Sequence, residues 1–107
     1  MKTLELIRAD EPQLIPLLRA MKLKELEKHA ENLVRILGGG NTYPRVLREV
    51  IKALPQLPET AERFALLQEV LLRFVPRAAE QKDLLVKLAV IMSLIVALKF
   101  KEIHSGR

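Results

Sequence analysis

Few side chains in this chain have the type and spacing that chemistry requires. His29 stands four residues after Glu25, one turn along the same helical face, with Glu31 close by. A metal site needs three or four converging donors. The other imidazole is His104, among the last residues of the sequence. With no cysteine there is no thiolate ligand, no thiol nucleophile and no disulfide framework. The two serines are Ser93 and Ser105. Ser93 lies in the most apolar run, where its hydroxyl is expected to bond the carbonyl one turn earlier or to sit at a helix crossing. Neither serine has a base beside it in sequence. Gly38, Gly39 and Gly40 lack the lysine and the preceding strand of a phosphate-binding P-loop. They read as a flexible hinge between antiparallel helices. No catalytic residue, metal or cofactor is expected.

Binding offers more. Arg45, Arg48 and Lys52 fall at i, i+3 and i+7 and so share one helical face. Asn41 and Tyr43 stand just before them, near a helix N-terminus able to receive a phosphate. A helix, a glycine-containing turn and a second helix resemble a helix-turn-helix layout, which implies base reading by the start of residues 43–54. Glu49 interrupts the stripe, and Arg19, Lys22, Lys24, Lys28, Arg73, Arg77 and Lys82 are scattered among acids. Contact with a phosphate backbone is therefore the form such binding would take. The net charge of +5 permits nucleic acid or an acidic protein as partner and requires neither.

The strongest demand comes from Leu84–Leu98, LLVKLAVIMSLIVAL, whose polar residues are Lys87 and Ser93. Glu80, Asp83 and Lys87 share a face, and the same line continues through Ile91, Leu94 and Leu98. A surface helix should keep one polar stripe. This one loses it for about two turns and regains it at Lys101 and Glu102. The run must be wrapped by its own chain, covered by a partner or placed in lipid. A spanning helix needs roughly 20 apolar residues, which disfavours the membrane. Ile91, Leu94 and Leu98 are the predicted partner interface.

The other elements follow from periodicity. Leu4 and Ile7 suit a short helix, although residues 1–9 also fit an extended arm. Asp10 and Gln13 form a possible capping box. Pro16 should start the next helix, because deeper inside it would break a bond to Pro12. That helix is expected to run to about Leu37 along Leu23, Leu26, Ala30, Leu33 and Leu37, with Leu14, Leu17, Leu18 and Met21 as a slightly offset patch. Gly38 supplies its left-handed stop. Asn41 or Thr42 can cap a helix over 43–54 that buries Val46, Leu47, Val50, Ile51 and Leu54. Pro55 ends it, and PQLP (55–58) connects. A helix over 59–74 presents Phe64, Leu67, Leu71 and Phe74, and a last helix is expected from Pro76 to about Ile103.

These observations describe a single all-α domain over 1–107. It is a compact bundle of four main helices, with a short fifth at the N-terminus, packed around a long apolar C-terminal helix. The expected function is non-catalytic: self-association or docking of a protein partner through that helix. The alternative is a small basic nucleic-acid-binding subunit, of the ribonucleoprotein or phage kind, using Asn41, Tyr43, Arg45, Arg48 and Lys52. Lack of cysteine and of an apolar leader fits a cytoplasmic protein. A bias toward Leu, Arg and Glu over Ser, Asn and Gln is shared with thermophilic proteins.

Overall fold

The computed structural model describes residues 2–53 and 61–105, and the side chains of these apart from Glu11, residues 61–63 and residues 100–105. Every regular element among them is helical. In chain order these are α1 (Thr3–Arg8), α2 (Glu11–Arg19), α3 (Leu23–Ile36), α4 (Tyr43–Ala53), α5 (Ala61–Phe74), a 3-10 turn (Pro76–Ala79) and α6 (Lys82–Ser105). The radius of gyration is 13.0 Å, which is what a folded chain of about a hundred residues should have. α6 packs against α2, α3, α4, α5 and the 3-10 turn.

The expected helix from Pro16 to Leu37 is two helices. α2 begins earlier, at Glu11, and carries Pro16 inside it. Pro12 and Pro16 both lie on the exposed side, where water can take the bond that Pro16 cannot offer. The D-x-x-Q capping box does not form, and Asp10 caps through its backbone carbonyl alone, which accepts from Gln13 and Leu14 at 3.0 and 2.9 Å. The chain then leaves the helix at Met21 and Lys22. Leu14 and Leu18 are buried, and so are Leu26, Ala30 and Leu33. On one straight helix Leu18 and Leu26 would point about 80° apart at 100° per residue. The break lets both stripes reach one core.

α3 ends as its glycine predicts. Gly38 takes φ +87°, its N–H donates to Arg35 and that of Gly39 donates to Val34, at 3.0 and 2.8 Å. This is the Schellman arrangement that satisfies the last carbonyls of a helix. The three glycines are not a free hinge. Gly39 is itself buried between Val34 and Val75. α4 follows its stripe, with Val46 and Val50 buried and Arg45, Arg48 and Lys52 exposed. The PQLP connector and its prolines lie outside the described residues. Pro76 keeps its predecessor Val75 out of helical geometry (φ −132°, ψ 71°) and so ends α5. The last helix then begins at Lys82, six residues later than its proline suggests.

α1 is too short to hold itself and is fastened by polar bonds. Leu6 enters the core. Thr3 Oγ1 lies 2.8 Å from His29 Nδ1 and accepts from Asn32 Nδ2 at 2.9 Å. Lys87 is buried and donates from Nζ to the Ile7 carbonyl. A helix of this length leaves its last carbonyls without internal partners, and a cation there also meets the negative end of its dipole.

Candidate interaction surface

The burial of Lys87 changes which side of α6 meets water. Ile91, predicted to lie on the open line with Lys87, is fully buried in the chain's own core, together with Leu88, Met92, Ile95 and Val96. The line from Asp83 that remains accessible runs one residue to the side, through Val86, Val90, Ser93 and Ala97. Asp83, Ser93 and Ala97 are exposed, and Val86 and Val90 are half-buried. Of the three predicted interface residues, Leu94 is half-buried and Leu98 is 37% exposed. These two flank the accessible line, and Ile91 does not join them. Ser93, expected inside, is at the surface.

Two shallow apolar depressions sit along this line. One, of about 250 Å³, is lined by Leu14 and Ile15 from α2, Phe64 from α5, and Val86 and Val90 from α6. The other, of about 160 Å³, is lined by Leu18, Arg19, Met21 and Leu26 together with Leu94, Ala97 and Leu98. Ile15 stands beside the first at 44% exposure. The surface thus spans the outer sides of α2 and α6. From Val86 to Leu98 its α6 side chains are apolar apart from Ser93.

Of the predicted basic face, Asn41, Arg45, Arg48 and Lys52 are at the surface and Tyr43 is not. Arg45 and Arg48 are exposed. Tyr43 is buried at 6% exposure, and its hydroxyl donates to Glu27 at 2.8 Å. Burial first, then that carboxylate, push its phenol far above the usual range. Its ring is unavailable for stacking on a base. Glu27 also pairs with Lys99 at 3.3 Å, so the tyrosine belongs to a link among α4, α3 and α6. Asn41 accepts from Arg35 at 3.5 Å, and Lys52 lies 3.7 Å from Glu49.

His29 is an interior residue at 2% exposure. Burial pushes its pKa below the usual 6.5, and Glu25 pulls it partly back. Nδ1 faces Thr3, while Nε2 is buried without a partner. An orphaned acceptor is tolerated better than an orphaned donor, so the proton belongs on Nδ1. Among the described residues no group of His, Asp and Glu is arranged to hold a metal ion. The side chains of His104 and Ser105 lie outside the described residues. No described helix is long and apolar enough to cross a membrane. Compared with known proteins, the chain matches no family model, no curated protein and no solved structure.

Proposed function

We propose that this protein is a non-catalytic helical interaction module, and that it self-associates or docks a protein partner through the outer side of α6. The supporting observation is the accessible line Val86, Val90, Ser93, Ala97, flanked by Leu94 and Leu98 and bordered by the exposed Ile15. Single exposed apolar residues are ordinary on protein surfaces. A contiguous run across two helices marks a contact surface. Assembly through the C-terminal helix is thus retained, with Ile91 replaced by Val86, Val90, Ser93 and Ala97.

Ser93→Glu tests this, because it sets a charge in the middle of the surface at a position already open to water. The measurement is solution molar mass by light scattering on a sizing column, at low and high salt. The expected result is association in the parent protein that persists at high salt and a monomeric variant with an unchanged melting temperature. Association that survives Ser93→Glu overturns the assignment.

A further inference from the structure

We infer that the occupant of this surface is a second copy of the same chain, laid antiparallel along α6; the inference rests on the docking role just proposed. The accessible line divides into a bulky half, Val86 and Val90, and a small half, Ser93 and Ala97. A twofold axis crossing α6 between Ile91 and Met92 sets Val86 opposite the partner's Ala97 and Val90 opposite the partner's Ser93. Each bulky side chain then meets a small one. A parallel pair would oppose valine to valine at one end and leave a gap at the other.

The flanking features obey the same symmetry. An antiparallel twofold keeps α2 on the same side of both copies. It carries the exposed Leu98 of one copy toward the depression beside Ile15, Phe64, Val86 and Val90 of the other. It carries Ile15 toward the depression beside Leu18, Leu94 and Leu98. Charge is complementary as well. The exposed Asp83 marks one end of the line, and Arg19 lines the depression at the other. Reversal brings the acidic end of each copy to the basic end of its partner. A closed pair of this kind uses one patch on both subunits.

From Asp83 to Leu98 the line is roughly 22 Å long at 1.5 Å per residue. Two helices wide, it covers about 450 Å² in plan on each copy, roughly 900 Å² over the pair, which is below the size of standard interfaces and in the range of weak, transient ones. The pair should therefore dissociate on dilution.

The absence of cysteine makes the test clean. Val86→Cys and Ala97→Cys proteins are prepared separately, checked by melting temperature, and oxidised alone and mixed. A disulfide needs Cβ atoms about 3.5–4.5 Å apart. Opposed positions meet that in the antiparallel pair, whereas the two copies of either single position stand roughly 16 Å apart along the axis. The expected result is a cross-linked dimer from the mixture, in the statistical share of mixed pairs, and none from either protein alone. Cross-linking of each variant to itself overturns the antiparallel pairing. A parent protein that stays monomeric at every concentration overturns the second copy as occupant and leaves the surface to a different protein. Association indifferent to Ser93→Glu is a separate outcome, in which the docking role itself fails.

Discussion

Gly39→Ala is the substitution whose cost can be worked most directly from the structure. A β-carbon built at Gly39 would stand 2.7 Å from Cγ1 of Val34, 2.7 Å from Cγ1 of Val75 and 3.1 Å from Oγ1 of Thr42. Carbon atoms prefer about 3.5–4.0 Å, so the overlap is close to 1 Å on two sides at once. Val34 and Val75 are fully buried, and branching at the β-carbon leaves each of them stiff. Overpacking of this kind costs about 1–3 kcal/mol. Alanine stiffens the unfolded chain and returns about 0.4–1 kcal/mol. With close contacts on two sides at once the cost lies toward the upper part of that range, so the net is about 1–2.6 kcal/mol, or a melting temperature lower by roughly 4–20 °C in a domain of this size. Urea unfolding followed by circular dichroism should show a lower midpoint with an unchanged slope. The decisive comparison is the double variant Val34→Ala with Gly39→Ala. Removing one of the two methyls that the new β-carbon strikes, with Cγ1 of Val75 left in place, should make the pair cheaper than the sum of its singles by about 0.5–1 kcal/mol. Gly40→Ala is the control: its φ is +58° and nothing lies within 4 Å of the added carbon. Backbone strain alone acts there, and Val34→Ala should not relieve it. A neutral Gly39→Ala, or an additive double variant, would refute the packing argument.

Two further outcomes are expected. His29 folds neutral with its pKa held below 6.5, first by burial. The unfolded chain therefore takes up the proton first as pH falls. Stability should be complete above about pH 6.5 and decline as pH drops from there toward the folded-state value. His29→Gln should flatten this slope in melting curves taken at several pH values, and an identical slope in both proteins would show that His29 is not its source. Arg45→Glu with Arg48→Glu should change stability by no more than about 0.5 kcal/mol, because both side chains are exposed. If the 41–52 face holds nucleic acid, the same pair should abolish binding in fluorescence anisotropy, and wild-type binding should weaken steeply with salt. Unchanged binding removes that face from consideration.

What the sequence made legible follows from contrast. α4 could be placed nearly to the residue because charged and apolar positions alternate at helical spacing, from Arg45 and Val46 to Lys52. The stop at Gly38 was readable because a left-handed residue after an amphipathic run has few other candidates. α6 defeated the same method. A helix apolar all round carries no phase, so the only guide to its solvent side is the line of Glu80, Asp83 and Lys87 that precedes it. Lys87 instead reaches the Ile7 carbonyl, eighty positions earlier in the chain, and a backbone acceptor leaves no trace in a side-chain pattern. The same phase error puts Ile91 on the accessible side, where the structure buries it, while Leu94 and Leu98 are partly accessible. Tyr43 was misplaced for a related reason, since its carboxylate partner lies on another helix. The break at Met21 and Lys22 did leave a signal. The patch at Leu14–Met21 was out of phase with the stripe that follows, and that offset marks the turn.

The reliance of every layer on α6 also has a consequence during synthesis. α2, α3, α4 and α5 all rest on a helix whose last buried residues, among those whose side chains are described, are Ile95 and Val96. A growing chain has finished α3 by Leu37, yet cannot cover that helix's apolar side until residue 96 has left the ribosome. At about 5–20 residues per second that interval lasts roughly 3–12 s. During it the half-made chain displays Leu26, Leu33 and Leu37 to its surroundings. Full burial of the α3 stripe is therefore expected only once α6 has been made, late in synthesis.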